Sequence, residues 1–196
     1  MDIMIRSSHG IALVNTETKL LQSRKLYISG TITDGMMVEF FQKMQILLDE
    51  DRNAPISLYI DSQGGEIRSG LAIYSMITGC MTDIDIYVLG KACSMAAVLL
   101  AAGKKGHRFL LPYAEVMIHE PLIGSAVSGS TSSVKSISDN LQEAKDIIDG
   151  ILAKHTGHAL KEVQEATSYD HYFKAKEAVD WGLADRILEF DELLGG

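Results

Sequence analysis

Two short segments carry residues whose type and spacing suit acyl transfer. Gly90-Lys91-Ala92-Cys93-Ser94-Met95-Ala96-Ala97 follows a strand-like run over residues 84–89 and enters an apolar helix rich in Ala and Leu. A serine at such a junction sits on a tight turn beside the unpaired first amides of the helix. Those donors, at the positive end of a dipole, favour negative charge that builds up next to the hydroxyl. Ser94 is therefore either a nucleophile or the cap of a buried helix, a position where serine is common. Glu115-Val116-Met117-Ile118-His119-Glu120-Pro121 reads as an apolar strand that ends in a histidine and is stopped by a proline. Histidine at a strand end is often structural, yet it is also the usual general base for a serine hydroxyl. Together, Ser94 and His119 read as half of a catalytic triad.

Neighbouring residues offer rival chemistries. Cys93 adjoins Ser94 and could serve a Cys-His enzyme. On a sharp turn adjacent side chains point apart, so one of the two faces His119, and Cys93 reads as a small buried residue. Cys80 and Cys93 do not make a disulfide framework. His155-Thr156-Gly157-His158 has a spacing that a metal could use, but no acidic or cysteine partner is read at ligand spacing. His155 reads instead as lying near the end of a long helix that Gly157 terminates. No metal and no cofactor are expected. Gly103-Lys104-Lys105-Gly106 lacks the spacing and the Ser or Thr of a phosphate-binding loop, so ATP hydrolysis is not housed here.

Composition bounds the class. The chain has 196 residues, 46% of them hydrophobic, which suffices for one domain with a sizeable core. A net charge of -8 and no cluster of Lys and Arg argue against a nucleic-acid partner. The longest apolar run, residues 95–102, is far too short to span a bilayer, so no membrane is expected. Met1-Asp2-Ile3-Met4-Ile5-Arg6 lacks the basic start and apolar stretch of a secretory signal, and the expected location is cytoplasmic.

These residues must be held by an alternating scaffold. Residues 25–29 and 56–60 read as strands, with a helix over 36–49 whose apolar stripe is Met37, Phe40, Phe41, Met44, Leu47 and Leu48. A Gly64-Gly65 turn leads to a second helix over 66–77. The strand at 84–89, the Ser94 helix and short strands at 107–111 and 115–118 follow. The succession implies an α/β domain with helices covering parallel strands. Residues 125–138 are rich in Ser and Gly, and lead into a helix over about 134–154 that is long for a small domain. Ile137, Leu141, Ile147, Ile148 and Ile151 on it cannot all be buried within one subunit, which calls for a partner.

The Ser94 and His119 segments stand in order with others: Asp61-Ser62-Gln63-Gly64-Gly65 upstream, then Lys154-His155-Thr156-Gly157, Tyr169-Asp170-His171-Tyr172-Phe173, and Ala178-Val179-Asp180-Trp181-Gly182-Leu183. Over residues 20–188 this order resembles the proteolytic subunit of the Clp protease. The resemblance implies one domain over 1–196, with a crotonase-like spiral of β-β-α units. It also implies an axial-pore segment over 1–20 and a protruding handle over 123–156 that interlocks two stacked seven-membered rings.

By the same resemblance Ser94 is the nucleophile, His119 the general base and Asp170 a buried acid that orients it. The backbone amides of Gly65 and Met95 form the oxyanion hole. Asp170 is aligned by counting back from Ala175 and from Ala178 to Leu183; Asp180 and Asp185 are rival acids that read as surface residues within or just beyond the last helix. The implied activity is ATP-dependent endopeptidase action on unfolded polypeptides, with ATP hydrolysed by a separate AAA+ unfoldase of the ClpX, ClpA or ClpC type. Tyr59 matches a position in the docking pockets for that partner. Gln63 stands where the family commonly has proline, Ile123 where it has glycine, and Ser168-Tyr169 where it has an acid and an arginine. Two other classes remain open: a catalytically silent ring subunit of a mixed complex, and an acyl-CoA enzyme of the crotonase type.

Overall fold

The computed structural model describes residues 1–7, 10–124 and 128–194. The chain begins with an antiparallel hairpin of β1 (Asp2–Ser7) and β2 (Gly10–Asn15), followed by α1 (Thr16–Gln22). The main sheet is then built by β3 (Lys25–Ile32), β4 (Ile56–Gly65) and β5 (Ile84–Cys93), which lie side by side and parallel. Between them run α2 (Asp34–Glu50) and α3 (Ile67–Gly79). Thr33 caps α2 by accepting the Met36 N–H, and the helix buries Phe40, Met44 and Leu47. The strands bury Leu26, Ile28, Leu58, Ile60, Ile86 and Val88, so the core lies between this sheet and its helices.

The seven residues of α4 (Met95–Ala101) are all buried, which accounts for the Ala- and Leu-rich run: small side chains let the helix sit close against the sheet. Leu99 and Leu100 are fully buried there, and truncating either to Ala costs about 2–5 kcal/mol. β6 (Arg108–Leu110) and β7 (Glu115–Ile118) come next. Both pair with β5, which forks the sheet: Ile86–Val88 face β6, whereas Lys91–Cys93 face β7.

The rest of the chain comprises α5 (Thr131–Thr156), α6 (Leu160–Thr167), β8 (His171–Lys174), α7 (Ala175–Asp180), β9 (Arg186–Ile187) and α8 (Phe190–Leu194). β8 is antiparallel to β7, and β9 extends the parallel sheet beyond β6. α5 starts at the Ser130 cap and stops where Gly157 takes a left-handed conformation; at 26 residues it is about 39 Å long. This is the α/β architecture, with a mostly parallel sheet, that the sequence implies.

Several expectations need correction. The Gly64-Gly65 segment is not a turn but the end of β4, in register with Thr31 and Ile32. The strand at 84–89 continues through Gly90 to Cys93, because Lys91 to Cys93 find a second partner in β7. Of residues 107–111, Arg108–Leu110 form the strand. The hairpin within the first twenty residues was not expected; the Ser8-His9 part of the proposed pore segment lies outside the described residues, as do Ser125, Ala126 and Val127 of the handle region. Ile148 is buried within its own subunit and Ile151 packs on the core, while Ile137 and Ile147 are exposed and Leu141 is half-buried, so two of the five stripe residues are satisfied internally. Among the described residues, no helix is long and apolar enough to cross a membrane.

Candidate active site

Ser94 stands between the last residue of β5 and the first of α4, with φ 55° and ψ -124°. A non-glycine residue held at positive φ is strained, and the strain here comes from two fixed flanks. On one side the Ser94 N–H donates to the Met117 carbonyl at 2.7 Å; on the other its carbonyl accepts from Ala97 at 2.9 Å, starting the helix. The side chain is thereby turned out of the core toward the end of β7.

His119 follows β7 directly. Its Nε2 lies 2.9 Å from Ser94 Oγ, and its Nδ1 lies 3.1 Å from Asp170 Oδ1. A carboxylate oxygen can only accept, so Nδ1 donates to Asp170 and Nε2 is left to accept from the Ser94 hydroxyl. Asp170 sits just before β8, which is antiparallel to β7, with Ile118 opposite His171. That pairing sets the acid beside the imidazole. Asp170 is not buried as expected: its side chain is 59% exposed against 15% for His119. Its attraction for the ring is screened by water, and its position depends on the backbone that carries it.

Gly65 and Met95 also meet at this place. A Cβ on Gly65, at φ +155°, would collide with the Ile32 backbone, and one on Gly64 would lie 2.7 Å from both Cys93 O and Ser94 Cβ. Gly64 is therefore a point of close approach beneath the Ser94 turn, and Gly65 one against β3. Met95 is the first residue of α4, where an amide has no intrahelical acceptor. Ser94, His119, Gly65 and Met95 line a cleft of about 220 Å³ whose apolar walls include Ile67, Val98, Leu122, Ile148 and Leu152. These wall residues were not singled out from the sequence, since they come from four distant segments; the one available signal was the apolar stripe that holds Ile148.

The rival groups are placed elsewhere. Cys93 is buried, and burial together with the Glu115 charge pushes its thiol up, keeping it protonated. Asp180 is exposed and pairs with Lys176. Asp185 is not a surface residue: it is nearly buried, with Oδ1 2.6 Å from Arg108 Nη2, and it also accepts the Gly106 and Arg108 backbone N–H groups. Burial opposes its ionisation, but Arg108 and those amides outweigh it and hold the carboxyl below its ordinary value.

The two histidines near Gly157 do not converge. His155 contacts the Tyr74 hydroxyl at 3.0 Å, whereas His158 stacks on Trp181 and has Glu162 at 3.4 Å, an acid at helical spacing that the sequence reading overlooked. Among the described residues no group of three or more metal-binding side chains is assembled.

Tyr59 proves to be the second ring of a stack across four parallel strands: Tyr27, Tyr59, Tyr87 and Phe109, with centroids 5.0, 5.2 and 5.1 Å apart. The in-register pairing of β3 to β6 places the four on one face. Burial, then the charge of Asp85 and the Tyr59 ring, push Tyr87 up to about 12, so that phenol stays neutral.

The family model described as Clp protease matches residues 8–191, nearly the whole chain and every residue of the cleft.

Proposed function

The chain belongs to the Clp protease family, and from that premise we propose that it is a serine endopeptidase subunit with Ser94 as nucleophile, His119 as general base and Asp170 as the orienting acid. The observation that supports the reading is the continuous contact from Ser94 Oγ through the His119 ring to Asp170, at 2.9 and 3.1 Å. An acyl-CoA enzyme of the crotonase type has no need of a serine so disposed toward a histidine.

The chemistry follows from the geometry. The Ser94 hydroxyl attacks a peptide carbonyl as its proton passes to Nε2 of His119; Asp170 stabilises the imidazolium. The oxyanion that forms is held by the amides of Gly65 and Met95, where loss of one donor typically costs about 10²–10³ in rate. The C–N bond then breaks as Nε2 returns the proton to the leaving amine. Water, deprotonated by the same nitrogen, hydrolyses the acyl-serine and frees the carboxylic acid. The apolar walls of Ile67, Val98, Ile148 and Leu152 suit an apolar side chain at the bond cleaved.

The same proposal includes assembly. The exposed Val134, Ile137 and Ile147 of α5 are apolar positions that a second copy would cover, in two stacked seven-membered rings. The sheet face that carries Tyr27, Tyr59, Tyr87 and Phe109, where Tyr27 is exposed and Tyr59 is buried between its neighbours, is the one on which an AAA+ unfoldase of the Clp type would dock and deliver unfolded polypeptide. The β1–β2 hairpin would stand at the axial pore.

A fluorophosphonate tests the core of the reading. Covalent attachment to Ser94 that disappears in Ser94→Ala is the expected result; no labelling of the assembled wild-type protein overturns it and leaves a silent ring subunit.

A further inference from the structure

A closed polar circuit lies behind the cleft, and its members flank the proposed catalytic groups without touching substrate. Asp149, on α5, is completely buried. Its Oδ1 accepts from the hydroxyl of Thr167, itself fully buried, at 2.9 Å. Its Oδ2 lies 3.3 Å from Nζ of Lys145, one turn earlier on the same helix, a charge pair without hydrogen-bond geometry that leaves both buried atoms dependent on electrostatic attraction. Lys145 Nζ in turn lies 3.1 Å from Oε2 of Glu120. The backbone N–H of Glu120 closes the loop by donating to the Thr167 carbonyl at 2.7 Å.

The placement of the circuit gives it a role. Glu120 is the residue after His119, and Thr167 stands three residues before Asp170. The separation of these two backbones is thus set twice, once by the direct hydrogen bond and once through Lys145 and Asp149. A buried carboxylate is a costly way to fill a helix face that already carries Ile148 and Leu152, because well-packed apolar residues usually serve stability as well or better. Asp170, being exposed, gains little position from its own screened attraction for His119.

We propose that Lys145 and Asp149 are positioning residues that clamp Glu120 to Thr167 and thereby hold His119 and Asp170 in register for the reaction at Ser94. The inference rests on the peptidase reading above. It also makes α5 a common support for both halves of the site, since Ile148 and Leu152 on either side of Asp149 line the cleft.

The test uses the full-length assembled protein with Lys145→Met and Thr167→Val, and with Lys145→Arg and Thr167→Ser as conservative counterparts. Thr167→Val preserves both ion-pair partners and the shape of the core, so it stays informative should Lys145→Met fail to fold. The readouts are the rate of fluorophosphonate attachment to Ser94, and kcat and KM on a short fluorogenic peptide with an apolar residue at the cleaved bond. Each is referred to the folded, assembled fraction from thermal melting and solution mass. A misplacement of about 1 Å can cost up to ~10² in rate, so Lys145→Met and Thr167→Val are expected to lose about 10- to 100-fold in labelling and kcat, with KM within about twofold. Lys145→Arg and Thr167→Ser restore most of it. Rates that fall only with the folded fraction, or losses that the conservative variants do not recover, overturn the proposal. An unlabelled wild type defeats the peptidase reading itself, which is a different result from labelled variants at the wild-type rate.

Discussion

Cys93 faces Met117 across the parallel pair of β5 and β7, and this register brings Ser94 and His119, 25 positions apart, into contact. One step beyond the pair, the Ser94 N–H reaches the Met117 carbonyl and the backbone turns into α4; two steps beyond Met117 comes His119. A slip of one residue would turn every side chain of β7 to the opposite face and carry His119 away from Ser94. The site is therefore a property of strand pairing before it is one of side chains.

Gly64 supports that turn from below. In Gly64→Ala the new methyl group would meet Cys93 O and Ser94 Cβ, both held by the β5–β7 pairing and the start of α4, so the Ser94 turn must move. The expected outcome is a loss of at least about 10² in fluorophosphonate labelling, because the Ser94 hydroxyl shifts relative to Nε2 of His119. Labelling at the wild-type rate in a folded Gly64→Ala protein would show that the close approach has no bearing on Ser94.

The choice among three acids can be made by amide substitution. Asp170→Asn keeps the size of the side chain but loses the charge that accepts from Nδ1 of His119, and is expected to lower kcat by roughly 10³- to 10⁴-fold with the melting temperature nearly unchanged. Asp180→Asn, on an exposed residue paired with Lys176, leaves both unchanged. Asp185→Asn alters stability rather than the kcat of the folded fraction. Steady-state kinetics beside thermal melts for the three variants decides the assignment, and equal losses in Asp180→Asn and Asp170→Asn would count against it.

The three variants also mark how far the sequence could be read. Ser94 and His119 stood out as candidates because their neighbours carry local signals, a small-residue turn and a proline stop, whereas Asp170 was reached only through the family resemblance, by counting back from Ala175 and from Ala178. The sheet at β5 was not legible, because Gly90 reads as a break; in the fold Asp61 occupies the space where a side chain would stand, and its Oδ1 accepts from Lys91 N–H at 3.1 Å, so the strand runs on. Asp185 was misplaced at the surface because its partner, Arg108, is 77 residues away. Asp149 and Thr167 likewise meet across 18 residues. Pairings of that kind leave no periodic trace in the chain.

Arg108 and Asp185 should carry a measurable share of stability. Arg108 is buried; besides Asp185, it donates to the carbonyls of Gly182 at 3.0 Å and His155 at 3.4 Å. Arg108→Met strands a nearly buried carboxylate and is expected to cost about 3–5 kcal/mol, part of which Arg108→Met with Asp185→Leu recovers. Because the fold holds the Asp185 carboxyl below its ordinary value, the unfolded chain takes up that proton first as pH falls. Its contribution is complete above about pH 4 and is lost below that. Urea midpoints measured down through about pH 4 should therefore fall less steeply in Asp185→Asn than in the wild type.

His155 should act over a higher range with the same sign. Burial, followed by the positive charges of Lys154 and Arg108, lowers its pKa, and the ring is held against the Tyr74 hydroxyl at 3.0 Å. Folded, it resists protonation; unfolded, it titrates near its ordinary value of about 6.5. The unfolded chain thus binds the extra proton first, so this contribution is full above about pH 7 and declines as pH falls through about 6.5. His155→Gln keeps a side chain able to hydrogen-bond Tyr74 but removes the titration. Its urea midpoint should change less between about pH 8 and pH 5.5 than that of the wild type, whatever its absolute stability. Parallel pH profiles for the two proteins would mean that protonation of His155 is not opposed by the fold, and that the Tyr74 contact survives charging of the ring.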